Sequence, residues 1–325
     1  MTGARPGPSA NLAGVLGRFH RREGCVIRPT SRATQTTLGR TITLSGRGAH
    51  GGRSARVTLA PACADAGIQF SVAGVEIPAH WPCVDATQLR TQIAAQGACV
   101  STVEHLLAAL AGLGVDNALI DVEGGEIPAM DGSAADFVDA VDEAGVIDLA
   151  APRRYLRVTR SVRVADGAGW AEVRPADSGL HLDVEIAFDG RIGRQRRALA
   201  LTPQTFRREI ARARSFGFLR DAQRLWREGL ALGASLDNTV VLDGETVLNP
   251  HGLRFPDEFV RHKMLDVVGD LALAGAPIIG AFRSYRGGHR LNLALLEAMA
   301  REGAAERCEI RPSMEAPAAL DASLS

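Results

Sequence analysis

Residues 256–272 read PDEFVRHKMLDVVGDLA, and this stretch decides the centre of the predicted fold. Proline is favourable as the first residue of a helix, and the apolar residues return with a helical period. We therefore predict one long helix over residues 256–275. His262, Asp266 and Asp270 are spaced four residues apart, which places all three on one face of that helix. A largely buried helix must give them partners, because a buried carboxylate is costly unless it is paired or bound to a metal.

The histidine and the first carboxylate of this face suit a metal site, but the motif is short. An imidazole and a carboxylate one helical turn apart can both reach a single Zn²⁺. Taken alone, His262 and Asp266 are more often a hydrogen-bonded pair at a domain surface, since short motifs match often by chance.

Lys263 follows His262 and is the only lysine among 37 basic residues. A compact ammonium fits a tight site better than a planar guanidinium does, so we predict that Lys263 is a functional cation of this site. The alternative is that one lysine remained at this position by chance.

An earlier helix offers a further ligand. Residues 101–112 are predicted to be helical, with Ser101 and Glu104 forming a capping box at the start. His105 would complete a set of two histidines and one aspartate, leaving a fourth position for water as in catalytic zinc sites. Glu104 would then lie beside the metal, where it can remove a proton from that water. The alternative for Glu104 is a structural capping carboxylate.

Another histidine follows a flexible segment of the chain. His289 comes after Gly287 and Gly288, which can bring a side chain into a cleft. If His289 faces the long helix, Asp270 can pair with it, hold its orientation and raise its pKa, as a general acid requires. The alternative is a solvated loop histidine.

Composition restricts the class of protein. The chain has 325 residues, enough for two domains, and a formal net charge of zero, so nucleic acid is not an expected partner. Its five cysteines include no C-x-x-C pair, which indicates free thiols in a reducing compartment, and we expect a cytoplasmic protein. No apolar run reaches the roughly 20 residues that cross a bilayer, so we expect no membrane span and at most peripheral membrane contact.

The order of strands and helices predicts two similar halves. Each reads as strands, helix, strand and helix. This is typical of an α+β fold of two similar α/β two-layer sandwich domains packed together, with the active site at their interface. We place the first domain at residues 34–150 and the second at residues 151–311, with a linker at residues 150–154. Residues 1–33 are predicted to be a disordered arm or the result of a start codon assigned too early, and residues 312–325 a tail.

Several stretches together resemble one known family. They are STVEHLLAALAGLGVDN at residues 101–117, EIPAMDGSA at residues 126–134, and FVRHKMLD at residues 259–266 with the later Gly288-His289. The resemblance is to the UDP-3-O-acyl-N-acetylglucosamine deacetylases, the zinc enzymes of lipid A synthesis, and runs from about residue 35 to about residue 301. A chance match of all these motifs is implausible.

The resemblance implies a role for each residue of the site. The roles are metal ligand for His105, His262 and Asp266, general base for Glu104, general acid for His289 with Asp270 as its partner, oxyanion contact for Ser215, and substrate contact for Lys263, Phe216 and His50. It implies one Zn²⁺ per chain, and Fe²⁺ can also suit such a site. Ser215 stands where the family usually has threonine, so its hydroxyl is less rigidly placed.

The resemblance also implies a substrate and an inserted unit. The substrate is an amphiphilic UDP-sugar, and we expect a monomer. Residues from about 218 to 255 would form a passage for the acyl chain. The predicted lining residues, for which burial in the core is the alternative, are Leu219, Leu225, Trp226, Leu230 and Leu232. The implied reaction is hydrolysis of the N-acetyl group. The alternatives are a catalytically silent UDP-sugar-binding or regulatory relative, and a zinc amidohydrolase of different substrate.

Overall fold

The structure is a computed structural model, and it describes residues 32–309. The predicted arm, except for its last two residues, and the predicted C-terminal tail lie outside the described residues.

The chain up to residue 153 forms strands and two long helices. Its strands are β1 (Thr34–Leu38), β2 (Ile42–Arg47), β3 (Ser54–Pro61), β4 (Ile68–Val72), β5 (Val75–Pro78), β6 (Val84–Ala86), β7 (Gln92–Ala95), β8 (Ala98–Ser101), β9 (Ala118–Glu123) and β10 (Val146–Pro152). Its helices are α1 (Glu104–Leu113) and α2 (Ala135–Ala144). They form a five-stranded sheet in the order β2-β3-β9-β4-β5, a three-stranded sheet β6-β7-β8 and the pair β1-β10. The alternating burial along β9 shows that the larger sheet covers the core with one face.

The chain after residue 153 also forms strands and helices. Its strands are β11 (Arg154–Val158), β12 (Val162–Asp166), β13 (Gly169–Arg174), β14 (Leu180–Ala187), β15 (Arg194–Leu201), β16 (Phe216–Phe218), β17 (Val240–Asp243), β18 (Thr246–Val247), β19 (Ile278–Tyr285) and β20 (Ala305–Glu309). Its helices are α3 (Pro203–Thr205), which continues as a π-helix over Phe206–Ile210, α4 (Ala222–Arg227), α5 (Glu258–Ala272) and α6 (His289–Arg301). Strands β11–β15, β19 and β20 form a seven-stranded sheet, and β16, β17 and β18 form a separate small sheet.

The predicted α+β class is confirmed. Within residues 32–309, every pair of hydrogen-bonded strands lies on one side of residue 153. This agrees with the expected division near residue 150, and the domain boundaries remain a prediction. The expected linker is not irregular, because β10 pairs with β1 up to Pro152 and β11 begins at Arg154.

Helices α1 and α5 pack against each other in the interior. Gly269 of α5 permits the close approach, since a Cβ atom at this position would lie 2.0 Å from the carbonyl oxygen of Glu104. Most apolar side chains of both helices are buried, and Leu106, Val260 and Leu265 are completely so. The first turn of α1 is therefore held against the middle of α5.

Two strand-like stretches of the sequence each form two strands. The alternating stretch from residue 68 to residue 77 is a hairpin, because the chain turns at Ala73 and Gly74, which have φ angles of 52° and 81°. The stretch from residue 156 to residue 164 is also two strands, because β11 ends at Val158 and β12 begins at Val162. Helix α5 begins at Glu258, two residues later than the proline pattern indicated.

Candidate active site

Helix α5 carries the predicted polar face into the interior. The exposed fractions of His262, Asp266 and Asp270 are only 4%, 3% and 2%. Their helical spacing aligns these three side chains in one polar row along α5. The packing of α5 against its neighbours buries this polar row. Each of these groups therefore needs a partner from elsewhere in the chain.

Three of the predicted ligands meet in one cluster. The Nε2 atoms of His262 and His105 lie 3.4 Å and 3.7 Å from the Asp266 Oδ1 atom. One ligand atom from each residue lies within 4.8 Å of the others. Ligands about 2 Å from a tetrahedral metal are separated by roughly 3.4 Å, so this spacing suits one divalent ion.

The chemical states of these donors also fit a metal. Burial lowers the pKa of His262 to about 4, which keeps the imidazole neutral. Its Nδ1–H donates to the Ala213 carbonyl at 3.1 Å, so the Nε2 lone pair faces the cluster. Burial by itself would raise the pKa of the Asp266 carboxyl, but Lys263 and His262 hold it well below its ordinary value. A neutral imidazole and an ionised carboxylate are the forms that bind metal.

Glu104 is the first residue of α1 and does not cap it. The N-cap is Val103, with no side-chain capping bond, and the Ser101 hydroxyl instead donates to Gln92 at 2.6 Å. The capping-box interpretation is therefore wrong. Glu104 is 3% exposed, and its Oε2 atom accepts a hydrogen bond from the Thr91 backbone N–H at 3.0 Å. Burial raises the pKa of this carboxyl, which improves it as a proton acceptor near neutral pH.

His289 lies opposite the end of the polar row. It is the first residue of α6 and is 8% exposed, so the solvated-loop alternative is wrong. Its Nδ1 atom lies 2.8 Å from Oδ2 of Asp270, and its Nε2 atom lies 4.0 Å from Oδ2 of Asp266. Burial by itself would lower the pKa of His289, but the Asp270 carboxylate raises it to about 9. The imidazolium therefore keeps its proton at neutral pH.

The sequence patterns missed two residues that complete this pair. The Thr91 hydroxyl donates to Oδ1 of Asp270 at 2.7 Å, and the Asn292 amide donates to Oδ2 at 2.8 Å. Asn292 lies three residues after His289 on α6. Helical spacing could have found it once the start of α6 was known. No local pattern marks Thr91, because it precedes a short strand distant in sequence from its partners.

Lys263 extends beside the cluster rather than into it. Its Nζ atom lies 2.8 Å from Oδ2 of Asp266 and 5.7 Å from the centre of the Phe216 ring. Burial alone would lower the pKa of this ammonium, but Asp266 raises it. The lone lysine is thus a charged group at the edge of the candidate metal site.

The segment before β16 brings Ser215 and Phe216 to the same region. The Ser215 backbone N–H donates to the Gly132 carbonyl at 2.8 Å, which fixes this half-buried residue. The Phe216 ring packs 5.0 Å from Phe259 and 6.1 Å from His262, measured between ring centres. Phe216 therefore forms an apolar wall next to one of the candidate ligands.

His50 joins the first half to the unit predicted as an insertion. Its backbone N–H donates to Glu126 at 2.8 Å, and its carbonyl accepts from the Leu232 N–H at 3.0 Å. Burial lowers the pKa of His50 to about 4, with a smaller contribution from the Arg90 guanidinium, so this imidazole is neutral at pH 7. His50 also lies within electrostatic range of His289 and His105.

The residues predicted to line the acyl passage divide into two groups. Leu230 is buried, and Leu225 is half-buried. Leu219, Trp226 and Leu232 are 44%, 54% and 52% exposed, so burial in the core is the wrong alternative for these three.

Comparison with known proteins identifies relatives over most of the chain. The family model described as UDP-3-O-acyl N-acetylglycosamine deacetylase matches residues 35–301. Three curated relatives are 50% identical to this chain over 273 residues. They are named UDP-3-O-acyl-N-acetylglucosamine deacetylase and come from Brucella ovis, Brucella abortus and Brucella melitensis. The aligned region covers 82% of this chain and 95% of each relative. In the described part of the chain, no helix combines the length and apolar character needed to span a bilayer. The match over 35–301 and the 50% identity establish that the chain belongs to the UDP-3-O-acyl N-acetylglycosamine deacetylase family.

Proposed function

We propose that this protein removes the N-acetyl group of UDP-3-O-acyl-N-acetylglucosamine. The products are acetate and UDP-3-O-acylglucosamine, and the reaction is the committed step of lipid A biosynthesis. Membership of the deacetylase family supports this activity. The observation that carries it is a buried triad of His105, His262 and Asp266, with Glu104 and His289 also buried beside it.

The triad would hold one Zn²⁺, with Fe²⁺ as the other ion that suits it. A bound metal of this kind lowers the pKa of a water molecule and polarises the acetamide carbonyl. Two imidazoles and one carboxylate leave room for water in a tetrahedral site. Metal analysis of protein purified from medium of defined content tests this assignment, with one zinc per chain as the expected result.

Two residues would move the protons of the hydrolysis. The Glu104 carboxylate accepts the proton of the attacking water, since burial has raised its pKa. His289 donates the proton on Nε2 to the leaving nitrogen as the C–N bond breaks, because the Nδ1–H is bonded to Asp270. Water supplies the oxygen of acetate, and the sugar keeps a free amine.

Other side chains would orient the substrate. The Ser215 hydroxyl and the Lys263 ammonium would stabilise the developing oxyanion or an anionic substrate group. Phe216 would pack on the sugar ring, and His50 would contact substrate near the inserted unit. The exposed Leu219, Trp226 and Leu232 would receive the acyl chain.

The direct test measures acetate released from the UDP-sugar by purified, metal-loaded protein. Glu104→Gln should lose most of kcat and retain its metal, because the amide keeps the size of the side chain but cannot accept the proton. His289→Ala should also lower kcat sharply. Glu123→Gln, an exposed glutamate of β9, is the matched control and should behave as wild type. Full activity of His289→Ala would refute its role as general acid.

Substrate variants and assembly measurements separate the remaining alternatives. A silent relative would bind the UDP-sugar without releasing acetate. An amidohydrolase of different substrate would tolerate removal of the UDP or acyl group, whereas we expect both removals to lower kcat/KM. We further propose a cytoplasmic monomer, which light scattering and cell fractionation would test.

A further inference from the structure

We propose that Thr91 is a positioning residue that fixes the Asp270–His289 pair relative to Glu104. It touches both proposed proton-transfer groups from a part of the chain far from either helix that carries the acid pair. The inference rests on the proposed hydrolysis, since the role concerns groups assigned to that reaction.

The side chain of Thr91 acts on the acid pair. Thr91 precedes β7 and is 2% exposed. Its hydroxyl donates to Oδ1 of Asp270 at 2.7 Å, and the same oxygen lies 3.2 Å from Nδ1 of His289. The hydroxyl proton is committed to the carboxylate, so the oxygen presents a lone pair to the ring. This arrangement keeps the Nδ1–H of His289 directed at Asp270 and Thr91, before and after the ring gives up its Nε2 proton, and directs Nε2 towards Asp266.

The hydroxyl also completes the hydrogen bonding of Asp270. The other carboxylate oxygen, Oδ2, lies 2.8 Å from both His289 Nδ1 and Asn292 Nδ2. Without Thr91, Oδ1 would lose this buried donor, and the carboxylate could rotate about its last bond. A threonine is suited to this task because its β-branched side chain has few rotamers.

The backbone of Thr91 acts on the other group. Its N–H donates to Oε2 of Glu104 at 3.0 Å, and its carbonyl accepts from the Val103 N–H at 3.2 Å. The same residue therefore holds the start of α1 and the carboxylate of its first residue. Because Thr91 belongs to the first half and Asp270 and His289 to the second, it links the proposed base to the proposed acid across the two halves.

Three substitutions test this role. Thr91→Val keeps the shape and the backbone N–H but removes the hydroxyl, whereas Thr91→Ser keeps the hydroxyl. Thr37→Val is the matched control, because Thr37 is also 2% exposed and bonds the Asn117 carbonyl at 2.8 Å, away from the site. For each we would measure kcat, KM, metal content and Tm, with acetate release as the assay.

We expect Thr91→Val to lower kcat by about tenfold to a hundredfold with KM and metal content unchanged, since the lost hydrogen bond is to a charged group. Thr91→Ser should recover most of kcat. Thr37→Val should lower Tm without changing kcat. In an Asp270→Asn background, Thr91→Val should have a much smaller effect than in wild type, because both changes disturb the same group. An unchanged kcat in Thr91→Val would overturn the proposal. So would a decrease in kcat that is accounted for by a lower Tm or a lower metal content.

A spectroscopic measurement keeps the inference separate from the activity. The His289 ring N–H bonded to Asp270 should give a far-downfield proton resonance that is absent from His289→Gln. We expect it to shift or broaden in Thr91→Val and to remain in Thr91→Ser and Thr37→Val. If wild-type protein released no acetate but showed this pattern, the proposed reaction would fail while the positioning role stood. An unaltered resonance in Thr91→Val would refute the positioning role itself.

Discussion

Helices α1 and α5 both supply the candidate site, but they present their residues in different ways. Helix α5 carries His262, Asp266 and Asp270 in its middle, on one face and one turn apart. Helix α1 presents Glu104 and His105 from its first turn, where the helix has no side-chain cap. The helical period alone aligns the residues of α5. The position of the α1 residues depends on what surrounds the start of that helix.

The surroundings of each helix reflect this difference. The polar groups of α5 are themselves part of the cluster, and one pair, Lys263 with Asp266, lies entirely on this helix. The start of α1 is held from outside, by Thr91 bonding Glu104 and by Gly269 closing on its backbone. Changes in α5 should therefore disturb the chemistry of the site directly, whereas changes around α1 should disturb its placement.

The largest effect is expected from Asp266→Ala in the middle of α5. It removes a proposed ligand and leaves the Lys263 ammonium without its 2.8 Å partner. We expect the metal content to fall from one ion per chain to near zero, and kcat/KM to fall by on the order of a thousandfold, because several kcal/mol of charge stabilisation is lost. Elemental analysis and acetate release would measure both. Asp121→Ala, on an exposed position of β9, should change neither. Full metal content in Asp266→Ala would rule out this ligand assignment.

A smaller effect is expected from Gly269→Ala, which tests the contact between the helices. The added methyl group would lie 2.0 Å from the Glu104 carbonyl oxygen, so α1 and α5 must separate. We expect a loss of about 1–3 kcal/mol in the free energy of unfolding, as for other overpacked interiors. Displacement of Glu104 and His105 should also lower kcat by about tenfold or more. Chemical denaturation and steady-state kinetics would measure these. Wild-type stability and kcat would show that the first turn of α1 does not need this close approach.

Lys263→Arg is expected to lower kcat by about tenfold, with metal content unchanged. The position lies between Asp266 and the Phe216 ring, where a compact ammonium fits and a broader guanidinium must displace one of them. Kinetics at matched metal content would test this. A wild-type kcat in Lys263→Arg would show that the reaction does not require lysine at this position and that the only lysine of the chain is there by chance.

The smallest effect on catalysis is expected just beyond the C-terminal end of α5, where His80 lies against Gly275. Burial lowers the pKa of His80 to about 4, with a smaller contribution from Arg307. Because the folded-state pKa is below the unfolded value of about 6.5, the unfolded chain binds the proton first as pH falls. This contribution to stability is fully present above pH 6.5 and is lost as pH falls towards 4.

His80→Gln tests that contribution, since glutamine does not titrate. Between pH 7 and pH 4, wild type should lose on the order of 1–3 kcal/mol more of its free energy of unfolding than the variant. Urea unfolding at several pH values would measure the difference, and kcat at pH 7 should stay the same. Parallel pH profiles for the two proteins would contradict the assignment.

Much of the site could be predicted from the sequence because its motifs are local. The spacing of His262, Asp266 and Asp270 fixes their common face before any tertiary contact is known. The family motifs then indicated His105, Glu104 and His289, which the structure brings to the same cluster. The capping of α1 was not predicted correctly, and no pattern indicated that Thr91 bonds Asp270. Both depend on partners distant in sequence.

The α+β class, the family and the polar face of α5 follow from local patterns of the chain, because helical and strand periods are properties of consecutive residues. Three features depend on the packing of distant segments. Thr91 bonds Asp270 and Glu104, Asn292 donates to the same Asp270 carboxylate, and three apolar side chains of the inserted unit stay exposed, namely Leu219, Trp226 and Leu232. The physical reason is that a buried polar group takes whichever donor the packing brings near. The helical and strand periods of the sequence do not predict which distant residue supplies that donor.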